Sequence, residues 1–149
     1  GIISTVKIHI LKNHFSMKIS KADFESMKAK YDKEVKKGKA GKGKNGKDKD
    51  NQTGWIFFDR GTLENLLAKT DNDPSIGGIQ FYFTQYTEET AEKVYPKEAA
   101  AYTGQMTLVM RAANLKDNKF VKIELGEEDE YQNNGVQCPY HCEPEPTDT

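Results

Sequence analysis

The ten residues Gly77-Gly78-Ile79-Gln80-Phe81-Tyr82-Phe83-Thr84-Gln85-Tyr86 constrain this fold more than any other stretch. Alternation places Ile79, Phe81 and Phe83 on one side of an extended chain, with Gln80, Tyr82, Thr84 and Tyr86 on the other. Two glycines open the run, and Thr87-Glu88-Glu89 closes it with polar side chains. One face is wholly apolar and the other carries aromatic bodies with polar tips, so both faces are suited to being covered. Such a strand is expected in the middle of a sheet, with Phe81 and Phe83 in the core and the other elements packed on or beside it.

Helices are expected on either side of a short aromatic strand. Ser20-Lys21-Ala22-Asp23 begins the first: the Ser20 hydroxyl accepts an orphan N–H, and Asp23 sits at the positive end of the dipole. Phe24, Met27, Tyr31 and Val35 then form one stripe, which reads as core packing. Gly54 to Phe58 reads as a strand. Asp59 caps a second helix that reaches about Lys69 and turns Leu63, Leu66 and Leu67 inward. Thr70 to Pro74 ends it. Glu88 to Tyr95 and Glu98 to Tyr102 read as short helical segments. Gln105 to Ala113 is a second strong strand, with Met106, Leu108, Met110 and Ala112 on one face and Thr107, Val109 and Arg111 on the other. Lys116-Asp117-Asn118-Lys119 is a hairpin turn, and Phe120 to Leu125 returns as a strand. Val6, Ile8 and Ile10 alternate with Lys7 and His9, so residues 1–16 read as an arm or short strand, with Met17 as the native start.

The net charge of -1 conceals a division. Residues 1–53 hold 14 Lys and 6 acids, and residues 54–149 hold 8 Lys or Arg and 17 acids. Both regions are expected to be solvated, because exposed charges are screened at physiological salt. Lys36 to Asp50 contains seven Lys and four Gly. It buries no apolar surface, and its glycines raise the entropy cost of ordering, so it is expected as a flexible loop within the domain. Lys36–Lys49 would then contact polyanions without sequence preference, lacking arginine and stacking aromatics. Residues 127–149 are expected as an acidic, Pro-containing tail. No stretch approaches the ~20 apolar residues of a membrane span.

One helix, the aromatic strand Trp55–Phe58, a capped helix, Gly78-Ile79-Gln80-Phe81-Tyr82-Phe83, a Thr/Leu/Val/Met strand and a final Cys138-Pro139-Tyr140-His141-Cys142 follow one another in this order. This order resembles a family of small uncharacterised proteins of Bacteroidetes-type bacteria with no known activity. The likeness covers residues 17–142. It implies a bacterial origin and a single domain, and it transfers no catalytic residue.

Candidate chemistry is sparse. Arg111 lies within a strand, where a planar cation calls for a carboxylate or an anionic ligand. Tyr82 and Tyr86 share its expected sheet face and would supply hydroxyls. The plain alternative is an exposed arginine packing its stem on those tyrosines. Cys138, His141 and Cys142 are good zinc-ligand types, but they follow no structural-zinc spacing and lack a fourth ligand, so no metal is expected there. A small-loop disulfide or two plain thiols are the alternatives. Nothing resembles a nucleophile elbow, a phosphate-binding glycine loop or His-Glu-x-x-His.

The expected fold is α+β. Residues 17–126 form a single domain with an antiparallel or mixed sheet of four to five strands and two main helices on one face. The expected function is that of a soluble, non-catalytic binding or protein-interaction module without a cofactor, in the cytoplasm. Its partner would be a protein or small ligand, including a second copy of the chain. The alternative is a small anionic-ligand-binding protein or enzyme with a site around Arg111, Tyr82 and Tyr86.

Overall fold

The computed structural model of the chain describes residues 17–124 and 130–139. The expected strand at Val6–Ile10, His141, Cys142 and the far end of the acidic tail lie outside them. Among the described residues, seven strands and four α-helices follow in the order β1 (Met17–Ile19), α1 (Lys21–Lys33), β2 (Trp55–Phe57), α2 (Arg60–Leu67), β3 (Gly77–Gln85), α3 (Glu88–Val94), α4 (Ala99–Tyr102), β4 (Met106–Lys116), β5 (Lys119–Val121), β6 (Tyr131–Asn133) and β7 (Val136–Cys138). The fold is α+β, as expected. A five-stranded sheet runs β1-β6-β4-β3, with β5 hairpinned onto β4, and β2 pairs with β7 in a separate two-stranded ribbon. None of the described helices is long and apolar enough to cross a membrane.

The described chain divides into two compact units. The first takes residues 17–24, 58–82, 109–124 and 130–135, and the second takes 25–57, 83–108 and 136–139.

The first unit has an apolar core. Leu66 of α2 is buried with Met110 and Ala112 of β4, and Phe58, Leu63, Ile79 and Ile123 pack around them. Asp59 caps α2 as its sequence predicts, its carboxylate accepting from the Thr62 N–H at 2.8 Å. Leu67, expected inward, is exposed. The Ser20 hydroxyl accepts from the Asp23 N–H at 3.0 Å. Phe24, at the start of α1, stacks on Tyr131 with ring centres 4.4 Å apart and meets Tyr82 edge-on at 4.9 Å. Asp117 and Asn118 both have positive φ, which is the twist a two-residue hairpin requires.

The second unit is held together largely by amides and hydroxyls. Gln85, Gln105 and Gln137 are fully buried. Gln105 donates to the Asn51 carbonyl at 2.7 Å, and Gln137 donates to Thr53 Oγ1 at 3.0 Å and the Met106 carbonyl at 3.1 Å. Thr84 Oγ1 donates to the Thr107 carbonyl at 3.0 Å. Met27 is buried, and Tyr95 and Tyr102 stack with ring centres 3.6 Å apart while Tyr86 meets Tyr95 edge-on at 5.7 Å. Burying an amide or hydroxyl is costly unless it is hydrogen-bonded, so these bonds are needed to hold the unit together.

Three expectations are corrected. First, among the described strands β3 ends the sheet path instead of centring it, and β6 and β4 are the strands with neighbours on both sides. Phe81 and Phe83 are 48% and 57% exposed. Alternation establishes which residues share a face, but it does not say which face is covered; here Thr84, Gln85 and Tyr86 at the end of the strand are buried instead.

Second, the Lys36–Asp50 segment is a folded, hydrogen-bonded turn. Gly43 N donates to the Lys47 carbonyl at 2.7 Å, Lys49 N to the Gly41 carbonyl at 2.9 Å, and Lys42 and Asp48 form both a β-bridge and an ion pair. Gly41 and Gly43 are buried: a Cβ on Gly41 would land on the Gly104 carbonyl oxygen. The glycines therefore permit close backbone approach, which is the opposite of the entropic role their number suggested.

Third, the expected tail contributes two strands to the fold. Tyr131–Asn133 pair with Met17–Ile19, and Val136–Cys138 pair with Trp55–Phe57. Tyr131, Gln132 and Asn133 are buried, and Gln137 is buried in the second strand while Val136 stays exposed, although the composition of both reads as tail.

Candidate functional site

Arg111 projects from β4 in the first unit. Its guanidinium forms an ion pair with the Glu130 carboxylate at 2.7 Å and lies 5.7 Å above the Tyr131 ring. Burial works against its charge, but the Tyr82 hydroxyl and the Glu130 carboxylate outweigh it and hold the pKa above that of an ordinary arginine. Tyr82 in turn donates to Gln80 Oε1 at 3.2 Å. Burial, followed by the Glu130 charge, pushes the Tyr131 phenol upward. Beside this group is a cavity of about 290 Å³ bounded by Gln80, Arg111, Phe120, Lys122 and Glu130.

Two of the three expected residues are thus brought together, and the third is not. Tyr86 belongs to the second unit, where it is fully buried in the Tyr86/Tyr95/Tyr102 cluster. Burial, with Tyr86 alongside, raises the Tyr95 phenol far above the range in which it would ionise. Glu130 is the residue that the sequence reading missed. An arginine inside a strand calls for a carboxylate, and the acidic run Glu127 to Glu130 contains it, but the composition of that run reads as tail.

The second unit carries a different kind of surface. On the β2–β7 ribbon Trp55 lies opposite Cys138 and Phe57 opposite Val136. Alternation therefore collects Trp55, Phe57, Val136 and Cys138 on one side and Ile56 and Gln137 on the other. Gln137 is the buried anchor, and Phe57, Val136 and Trp55 remain 58%, 39% and 36% exposed. Next to the ribbon is an apolar groove of about 150 Å³ lined by Trp55, Ile56, Phe83, Met106 and Leu108. These aromatics were legible as strand residues, but nothing in their spacing marked them as exposed.

The lysine turn belongs to the same unit. Lys44 and Lys47 are exposed at its tip, where Asn45 and Gly46 adopt positive φ. Lys42 is paired with Asp48, and the Glu88 carboxylate accepts from the Asn45 N–H at 3.3 Å. Lys49 Nζ donates to the Ala101 carbonyl at 2.8 Å.

Cys138 is disulfide-bonded, so it is not the thiolate that a zinc site would need. His141 and Cys142, the other members of that alternative, lie outside the described residues, among which no cluster of His, Cys, Asp and Glu could hold a metal ion. No family model, curated protein or solved structure matches the chain.

Proposed function

We propose that this protein is a non-catalytic interaction module that binds its partner through the ribbon of the second unit. The observation that carries this reading is the exposed cross-strand pair Phe57–Val136 with Trp55 on the same side. Scattered apolar residues are ordinary on a surface, whereas aromatic side chains gathered on one face beside an apolar groove are the composition of interface centres. Each of these side chains is held by a ribbon whose opposite side is anchored through Gln137, so the face is presented without an ordering cost on binding.

The anionic-ligand reading around Arg111 has less support, because Glu130 already neutralises the guanidinium at 2.7 Å. An incoming anion would have to displace it.

The test is site-specific photo-crosslinking from position 57, with position 93 as an exposed control. A discrete partner is expected from position 57 alone, to be identified by mass spectrometry and reconstituted from purified components. Phe57→Ser/Val136→Ser should fold normally and lose that partner. If the double variant binds the reconstituted partner as tightly as the native protein, the ribbon is not the interface.

A further inference from the structure

The groove and the lysine turn both lie along one stretch of the second unit, residues 101 to 108. At one end, Lys49 donates to the Ala101 carbonyl, and the Gly43 backbone stands against the Thr103 carbonyl so closely that an added Cβ would be 3.4 Å away. At the other end, Met106, Thr107 and Leu108 line the groove together with Trp55, Ile56 and Phe83. Gln52 and Thr53 tie the two together: Gln52 Nε2 donates to the Gly104 carbonyl at 3.2 Å, and Thr53 Oγ1 to the Met106 carbonyl at 2.6 Å. Thr103 and Met106 are separated by at most ~10 Å of chain. The base of the turn and the wall of the groove are therefore neighbours along this stretch.

Each end states a requirement. The groove is apolar and of about 150 Å³. A cavity of roughly 150 Å³ lined by aliphatic and aromatic side chains is known to accept benzene, so one phenyl- or isobutyl-sized side chain matches it in size and polarity. The turn is cationic: Lys44 and Lys47 are exposed and form no ion pair among the described residues. Lysine attracts any anion as a point charge, so the turn alone selects only for negative charge, and it is the apolar groove on the same stretch that calls for a peptide side chain beside that charge. We infer that the occupant of this surface is an acidic polypeptide segment that places one Phe- or Leu-sized side chain in the Trp55/Phe83/Leu108 groove and its carboxylates over Lys44 and Lys47. This inference rests on the interaction-module reading and supplies the chemical class of its partner.

The experiment uses the full chain and a fluorescein-labelled peptide with one central phenylalanine flanked on both sides by glutamates. Fluorescence anisotropy is expected to show saturable binding that weakens as salt rises, because exposed charges are screened. Trp55 is the only tryptophan in the chain and lines the groove, so an unlabelled version of the peptide should shift its emission to the blue as the ring is desolvated. Replacing the central phenylalanine by glycine, or changing the protein at Phe83→Ser, should each weaken binding about tenfold, the loss typical of an interface anchor. Lys44→Glu/Lys47→Glu should weaken it by a similar factor, and circular dichroism should show both variants folded.

The inference fails if a lysine-flanked peptide binds as tightly. It fails if the peptide does not bind at millimolar concentration, or if dextran sulfate binds more tightly than the peptide with no dependence on Phe83, which would make the turn a bare polyanion contact. Should the peptide fail while position 57 still crosslinks a discrete partner, the module reading stands and the acidic-peptide assignment falls. Should position 57 capture nothing either, both fall.

Discussion

The Gln85 side-chain amide donates to Glu34 Oε1 at 3.0 Å, with both side chains buried. The same oxygen accepts from the Lys42 N–H at 2.6 Å, and Oε2 accepts from Lys30 Nζ at 3.0 Å. One carboxylate therefore joins the end of α1, the root of the lysine turn and the end of β3. The backbone carbonyl of Glu34 adds two further bonds, from the N–H groups of Lys37 and Lys39 at 3.0 and 3.1 Å.

Removing that carboxylate should be among the most damaging single changes in the second unit. Glu34→Ala leaves the Lys42 N–H without its acceptor and the buried Gln85 amide with only the 3.5 Å bond to the Gly104 carbonyl, and a loss of about 2–3 kcal/mol is expected in urea denaturation. Burial favours the neutral acid, but hydrogen bonds from Lys42, Lys30 and Gln85 outweigh it and hold the Glu34 pKa below its ordinary 4.5. The folded value is depressed, so the stabilisation is fully present above about pH 4.5 and is lost as pH falls through the folded value. The difference in urea midpoint between the native protein and Glu34→Gln should be constant near neutrality and shrink below that pH. A difference that grows on acidification would reverse the sign and refute the assignment.

Gly41→Ala should destabilise the protein, because its Cβ would meet the Gly104 backbone, which cannot rotate away as a side chain can. A cost of about 1–3 kcal/mol is expected, read as a lowered thermal midpoint. Gly54→Ala is the control, with nothing within 4 Å of the added carbon. Replacing residues 36–50 by a Gly/Ser linker should likewise lower the midpoint, since it deletes the Lys42 bond to Glu34 and the Lys49 bond to Ala101.

Phe81→Ser is expected to change stability by less than about 1 kcal/mol, as for other exposed positions. Leu66→Ala, in the first unit's core, should cost about 2–5 kcal/mol. Comparable losses at the two positions would show that Phe81 is covered in solution.

Glu130→Ala should convert the Arg111 guanidinium from a paired to an available cation. Inorganic phosphate, titrated in NMR against the arginine side-chain signals, is expected to perturb the variant and leave the native protein unchanged. Perturbation of the native protein at the same concentration would revive the anionic-ligand reading.

Local signals in the sequence were read well. Ser20 and Asp59 cap their helices, Asp117-Asn118 turns the hairpin, and Phe24 and Met27 are buried. These depend on neighbours within a turn or two of chain. What depends on distant partners was hidden. Phe81 and Phe83 have the composition of an inner strand, yet the strand order leaves β3 at the end of the sheet path. Tyr131-Gln132-Asn133 is too short and too polar to show a period, and is a strand because Met17–Ile19 and β4 lie on either side of it. Gly41 looked like freedom and is contact. At the candidate site, Arg111 and Tyr82 could be found because an arginine in a strand is conspicuous. The Trp55, Phe57 and Val136 face could not, because exposure is decided by what the buried Gln137 anchors on the other side.

The chain passes back and forth between the two units, so neither is encoded by a contiguous stretch. No single cut in the gene yields either unit whole, and recombination cannot exchange one without rewriting the other. The order of synthesis carries the same constraint. Met17 to Ile19 are made long before their hydrogen-bonding partners Tyr131 to Asn133. Trp55 to Phe57 must wait in the same way for Val136 to Cys138. Pairings of such long separation favour slow folding, and most of the chain must be released before the fold can close.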